Sequence, residues 1–368
     1  MSVLELALQR NKYKHLTDDE WRWFLQQEEG RERTADKLPA FAAIKDWWYP
    51  VRLSCEQCSS ELTARYKASL VGGTKMVDLT AGYGVDTYFL SERFEKADYV
   101  EQNEELCRIA SHNFAKKPIQ VHHTTAEEFI KTAGQYDLIF ADPARRDNYG
   151  GKVFKLVDCT PNVVELLPAL MEHLTPQGRL MLKLSPMLDI TQAINALQGT
   201  KISWDVHVVA VKNEVKEVLL VSGGNGAITA IDLAEPEKEF VFTREEEQNC
   251  QMVNGKCENG TWLYEPSAAI LKAGAYKLVA QRFGLQKLDV NTHLYASDTL
   301  VEHFPGRVWR IVEEQDPKQA NVLTRNYPLT PEQLKKKYRL KDGGDTYVIG
   351  CRVNGKPTLY IAERIENK

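Results

Sequence analysis

A chain of 368 residues with a formal net charge of −4 and a pI near 6.1 is long enough to bury a core without disulfides or metals, and it predicts two or three domains. Its composition, 43% hydrophobic and 27% charged with a mean hydropathy of −0.41, excludes an intrinsically disordered chain, a collagen and a disulfide-rich miniprotein. The acidic balance leaves no global basic field, so contact with nucleic acid needs a local patch. The longest apolar runs are strand-sized, far below the ~20 residues of a membrane span. The opening MSVLELALQRNKYK has no apolar leader region, and we expect a cytoplasmic protein that engages no membrane. Seven cysteines are scattered, with Cys55 and Cys58 the only close pair and Cys250 and Cys257 further apart, which predicts reduced thiols and no metal site.

Residues 1–72 predict a helical segment. Thr17 and Glu20 form a capping box ahead of Trp21, Phe24 and Leu25 at helical spacing. Pro39 and Pro50 punctuate, and Ser54 to Leu70 reads as one helix stopped by Gly72-Gly73. The aromatics Trp21, Trp23, Phe24, Trp47, Trp48 and Tyr49 are expected to pack this layer onto the next domain.

From residue 74 short apolar runs alternate with amphipathic helices. Strands are predicted at Met76–Thr80, Ala97–Glu101, Gln120–Thr124, Leu138–Ala141 and Arg179–Leu184, with helices at Thr87–Phe94, Glu104–Ala115, Ala126–Thr132, Pro161–Leu174 and Ile190–Leu197. That alternation implies an α/β fold with a parallel sheet covered on both faces. Val206–Val211 and Lys216–Ser222 are joined too tightly for a crossover and predict an antiparallel hairpin at the sheet's end. After a Gly-Gly-Asn-Gly linker at 223–226 the style becomes α+β. Strands are expected at Ala227–Leu233, Glu239–Thr243, Val308–Val312, Tyr347–Val353 and Leu359–Arg364, and helices at Ser267–Phe283 and from Thr330-Pro331 to about Tyr338.

Chemistry concentrates at three strand ends. Asp78-Leu79-Thr80-Ala81-Gly82-Tyr83-Gly84 follows strand one and opens a helix, where a glycine turn lets a ligand approach the backbone. Glu101 stands at the tip of strand two, where a ribose diol is held. Together they point to a nucleoside ligand. A dinucleotide is disfavoured, because Thr87 replaces the packing glycine and the first glycine is missing. Strand four ends in Asp142-Pro143-Ala144-Arg145, which sets a carboxylate and a stiff turn over the same crevice. Arg145 can clamp a phosphate or stack through its guanidinium plane.

The D-x-x-A-G-x-G pattern resembles the cofactor loop of class I S-adenosylmethionine (SAM)-dependent methyltransferases, in its T-A-G-x-G form. The resemblance implies a Rossmann-like sheet with an antiparallel terminal strand. It also implies SAM held by Asp78, Thr80, Ala81, Gly82, Gly84, Glu101, Ala126, Glu127 and Asp142, with Glu101 on the ribose and Thr125-Ala126-Glu127 at the adenine edge. Asp142-Pro143 with Arg145 is similar to the D-P-P-x motif of nucleic-acid methyltransferases, which implies catalytic roles for these three. A D-P-A-R motif also occurs in methylators of uracil C5, which need a cysteine nucleophile after strand five. This chain has Lys183-Leu184-Ser185-Pro186 there, and Cys159 lies on another connection, so methylation of a nitrogen is favoured.

Further stretches carry a fuller resemblance: Ser59 to Ala68, Tyr264 to Gly274, His293 to Asp298, and Thr324 to Leu329 leading into Lys335 to Asp345. Through them the whole chain resembles a bacterial methyltransferase family with ferredoxin-like and THUMP-like domains after the catalytic one. The expected division is 1–72 helical, 73–224 SAM-binding, 225–300 ferredoxin-like and 301–368 THUMP-like. Between Lys318 and Lys341 seven basic residues face one acid, Glu332. Lys335, Lys336, Lys337 and Arg339 are candidate contacts to an RNA backbone. The expected activity is methylation of a base nitrogen in tRNA or rRNA. A small-molecule or protein substrate, or a non-catalytic RNA-binding protein on a vestigial cofactor fold, are the alternatives.

Overall fold

The computed structural model describes residues 3–145, 155–197, 202–251, 261–312 and 317–366. Arg146, Asp147, Cys257 and the side chain of Arg145 lie outside the described residues. Two compact units form, one of residues 1–204 with 219–223, the other of residues 205–218 with 224–368. No helix among the described residues is long and apolar enough to cross a membrane.

In the first unit β1 (Gly73–Asp78), β2 (Phe94–Glu101), β3 (Ile119–His123), β4 (Tyr136–Ala141) and β7 (Leu174–Leu184) make a parallel sheet in the order β7-β4-β1-β2-β3. The short β5 (Ala144–Arg145) and β6 (Cys159–Thr160) pair with each other. Residues Met76, Val77, Leu138 and Ile139 are fully buried, as both-face coverage of a parallel sheet demands. Beyond β7 the 219–223 stretch closes the edge, and the Leu180 N–H donates to Ser222 Oγ at 2.8 Å. Strand order reverses between β1 and β4, so their carboxyl ends form the crevice where such sheets bind ligands. The five crossover helices form where periodicity placed them, four of them capped by Asn103, Thr125, Asn162 and Asp189.

The N-terminal capping box at Thr17 and Glu20 starts a helix over Asp18–Thr34. Phe41, Trp47 and Tyr49 bury themselves against Tyr83, Phe89, Tyr99 and Phe114, and Trp47 Nε1 donates to the Tyr83 hydroxyl at 2.8 Å. The aromatics therefore pack the helical layer onto the sheet. The helix expected from Ser54 to Leu70 is two, Arg52–Gln57 and Glu61–Ser69. Cys58 turns extended, and the Ser60 side chain caps the second helix through the Thr63 N–H. An unbroken apolar period had hidden that cap.

The second unit holds β8 (Trp204–Val211) and β9 (Glu214–Ser222), adjacent and joined through Lys212 and Asn213, both at positive φ. Next, β10 (Ala227–Asp232) returns parallel to β8, and β11 (Phe240–Thr243) pairs antiparallel with β10. Residues 227–243 thus join β8 rather than the sheet that follows. That later sheet comprises β12 (Trp262–Pro266), β13 (Gln286–Asp289), β14 (Thr292–Ser297), β15 (Gly306–Ile311), β16 (Asn321–Arg325), β17 (Thr346–Val353) and β18 (Lys356–Ile365). Its order is β13-β14-β12-β15-β18-β17-β16, antiparallel throughout except for the β16–β17 pair. Leu263, Leu294, Trp309, Ile349 and Ala362 form its core. The helix expected over Ser267–Phe283 is split into Ala268–Ala273 and Leu278–Phe283, because Gly274 takes the left-handed conformation at φ +87° and stops the first.

Candidate active site

A cavity of about 330 Å³ opens at the carboxyl ends of β1, β2 and β4. It is lined by Asp78, Thr80, Ala81, Gly82, Gly84, Glu101, Ala126, Glu127 and Asp142, so the structure brings together every residue that the sequence assigned to a cofactor. Pro143 is buried beside it and does not line it. Lys335, Lys336, Lys337 and Arg339 belong to the other unit.

The loop's geometry follows from its glycines. Gly82 and Gly84 sit at φ +55° and +84°, and a Cβ on Gly84 would lie 2.6 Å from the Phe114 ring. Glu101 faces the loop, one carboxylate oxygen accepting the Gly82 N–H at 3.0 Å and the other the Asn103 N–H at 2.8 Å. Asp78 is fully buried and accepts from the Thr87 hydroxyl at 2.6 Å and the Thr80 N–H at 3.1 Å. Burial pushes its carboxyl up to about 7 despite these two donors, with the nearby Asp86 and Asp142 carboxylates adding to the rise. The Thr80 hydroxyl accepts the Asp142 N–H at 2.6 Å, which ties the end of β4 to the loop.

A charged network under the cavity was not foreseen. Lys183, one residue from the end of β7, pairs with Asp142 and lies 3.7 Å from Asp86. Asp86 in turn meets Lys67 at 3.2 Å and accepts from the Ser59 hydroxyl at 2.7 Å. Burial would raise the Asp86 carboxyl, but the Lys67 and Lys183 ammonium groups and the Ser59 hydroxyl hold it below the usual carboxylate range. The broken helix at 58–60 is what delivers Cys58 and Ser59 to the cavity wall. The available signal was Lys183 itself, a lone charge inside Leu180-Met181-Leu182-Lys183-Leu184 on a buried strand. Burial also pushes the thiols up, that of Cys55 to about 12, so neither Cys55 nor Cys58 is poised as a thiolate.

Residues 262–305 match the model of a ferredoxin-like domain family and residues 306–364 that of a THUMP-like domain family. An uncharacterized SAM-dependent methyltransferase of Mycobacterium tuberculosis is 22% identical over 358 residues, 92% of this chain and 95% of that protein. A crystal structure of a protein from Porphyromonas gingivalis W83, assigned as a methyltransferase, is 32% identical, covers 95% of this chain and 92% of its own, and superposes with a TM-score of 0.84. The chain belongs to this family of SAM-dependent methyltransferases with ferredoxin-like and THUMP-like C-terminal domains.

The cavity fits the family's cofactor. The bare Gly82–Gly84 backbone leaves room that side chains would fill, and Asp78, Glu101 and Asp142 suit a ligand that carries a sulfonium and an ammonium. Two expectations follow. Glu101→Ala should weaken SAM binding tenfold or more in a calorimetric titration, since a charged hydrogen bond contributes about 1.5–3 kcal/mol and each 1.4 kcal/mol is a factor of ten. Unchanged affinity would remove Glu101 from the site.

The second concerns pH. Asp78 is raised from 3.8 to about 7 in the folded chain, so its carboxyl keeps a proton there that the unfolded chain has released. Its contribution to stability is therefore full below the unfolded value and is lost as pH rises through the folded one. A cationic ligand reverses the preference and favours the carboxylate. SAM affinity should then climb between pH 6 and 8, by up to about tenfold per unit below the midpoint. Asp78→Asn should flatten the profile, whereas an equally steep profile in that variant would exclude Asp78 as its source.

Proposed function

We propose that the protein methylates a nitrogen of a base in RNA, in tRNA or rRNA. The observation that carries this reading is the Asp142 carboxylate, placed at the cavity by the turn after β4 and held there by Lys183 and the Thr80 hydroxyl. When bound, SAM supplies a methyl group already activated on a sulfonium, so the protein has to align the acceptor and keep its lone pair free. Asp142 accepts a hydrogen bond from the acceptor's N–H and turns the remaining lone pair toward the methyl. Lys183 keeps that carboxylate fixed and charged. Glu101 holds the ribose hydroxyls, Ala126 and Glu127 border the adenine, and Asp78 with Gly82 to Gly84 surrounds the methionine part. Pro143 stiffens the turn, and Arg145 clamps a phosphate of the acceptor strand.

The RNA half of the reading is supported by the THUMP-like match and by the helix Pro331–Tyr338, where Lys336, Lys337 and Arg339 are exposed. Not all of the basic stretch is available. Lys335 pairs with Asp342, and Arg325 is taken by the buried Glu265, so both serve the fold at least in part. Mass spectrometry of nucleosides from total RNA of cells with and without the gene tests the reading. One base-methylated nucleoside should disappear on deletion, and an unchanged inventory would refute an RNA substrate.

A further inference from the structure

The second unit contains a cavity of its own, about 360 Å³, lined by four cationic side chains, Lys212, Lys238, Arg307 and Arg364, against two carboxylates, Asp232 and Glu235. The carboxylates are already committed. Asp232 accepts the backbone N–H groups of Lys212, Asn213 and Ala234, and Glu235 pairs with Lys238 at 3.3 Å. Arg307 leans on the buried Glu265 from behind. Among the described residues, the Lys212 ammonium and the Arg364 guanidinium have no partner. Two free cations in a concave, cation-rich wall are what an oxyanion needs.

The turn that carries Lys212 is costly to form. Lys212 and Asn213 sit at φ +52° and +62°, where asparagine and glycine are at ease and lysine is not. The strain is overdetermined by its surroundings: Asp232 takes both N–H groups of the turn, and Asn213 Oδ1 accepts the Ala268 N–H at 2.8 Å. A strained residue held so firmly is a pointer to use, because an asparagine would make the same turn more easily and leave no charge at the cavity.

We propose that this cavity binds a phosphodiester group of the substrate RNA, with Lys212 and Arg364 as its principal contacts and Arg307 and Lys238 completing the positive wall. In taking RNA as the source of the phosphate, this rests on the RNA reading above. It adds a grip on the nucleic acid separate from the exposed helix Pro331–Tyr338.

The test uses the full-length protein and the double variant Lys212→Asn, Arg364→Gln. Asparagine tolerates the left-handed turn and Arg364 is exposed, so the variant should unfold at the parent's temperature or above it. Labelled unfractionated tRNA is titrated at several salt concentrations, inorganic phosphate binding is followed by phosphorus NMR, and SAM binding by calorimetry. The expected result is tRNA affinity reduced at least tenfold, a log–log salt slope flatter by about 1.4–1.8 for two lost phosphate contacts, weaker phosphate binding, and unchanged SAM affinity. Equal tRNA affinity and slope in parent and variant would overturn the proposal while leaving the methyl-transfer reading intact. Loss of phosphate binding alone, with tRNA binding unaffected, would overturn RNA as the source and leave a site for a free anion. A parent that binds no RNA would overturn both the proposal and the RNA reading of the active site.

Discussion

Asp142→Asn is expected to lower the turnover number by about 10²–10⁴-fold, the range over which a positioned acid or base group acts. The substitution keeps the shape of the side chain and the backbone bond to Thr80, which arises from the Asp142 N–H and not from the carboxylate. What it removes is the charge that Lys183 holds in place and that turns the acceptor's lone pair. SAM affinity should change less than turnover does, because the glycine loop, Asp78 and Glu101 are untouched. Lys183→Met should lower turnover in the same direction, since Asp142 then loses its anchor. Single-turnover kinetics with saturating SAM read the chemical step directly. A variant that retains the parent's single-turnover rate would take Asp142 out of the reaction.

Lys67→Met should destabilise the first unit by about 3–5 kcal/mol, the usual consequence of removing one partner of a buried ion pair. Lys67 has no exposed side-chain surface, and Asp86 is almost as deeply placed. Without Lys67, Asp86 is left with the more distant Lys183 and the Ser59 hydroxyl. For a unit of this size the melting temperature should fall by about 6–20 °C, at 2–4 °C per kcal/mol. Lys67→Met with Asp86→Leu should recover part of the stability, since an apolar pair of similar volume avoids desolvating two charges. It should not recover turnover, because Lys183 then loses the carboxylate that helps to place it. A melting temperature for Lys67→Met within a degree or two of the parent's would show that the pair contributes little.

Much of the sheet and the cofactor loop was legible because both obey local rules. Parallel strands buried on both faces read as apolar runs, and the runs at 76–80, 97–101, 138–141 and 179–184 all fall on strands. Topology then puts the ends of β1, β2 and β4 side by side, which is why Asp78, Glu101 and Asp142, distant in sequence, share one cavity. The network beneath them was not legible. Lys67, Asp86 and Lys183 are each ordinary in their own stretch, and only tertiary contact makes them partners.

The same holds for Arg325, counted as part of a basic surface until the fold placed it on Glu265, 60 residues away. The two broken helices failed for a more local reason. Their apolar spacing continues across the break, and a single cap, Ser60 in one and the left-handed Gly274 in the other, decides against it. In the C-terminal sheet β13, β14 and β16 were missed because they are short and mixed in polarity.

The most direct measurement of the central claim is transfer of labelled methyl groups by the purified protein. SAM carrying a labelled methyl is incubated with total RNA from cells that lack the gene, and the RNA is then digested to nucleosides. Label should appear in one nucleoside, on a nitrogen of its base, and should be absent when Asp142→Asn replaces the parent. RNA containing 5-fluoropyrimidines should be released without a covalent adduct, since no cysteine stands at the end of β7. Label that stays out of RNA and enters a protein or a small molecule would contradict the account, and so would a trapped protein–RNA adduct.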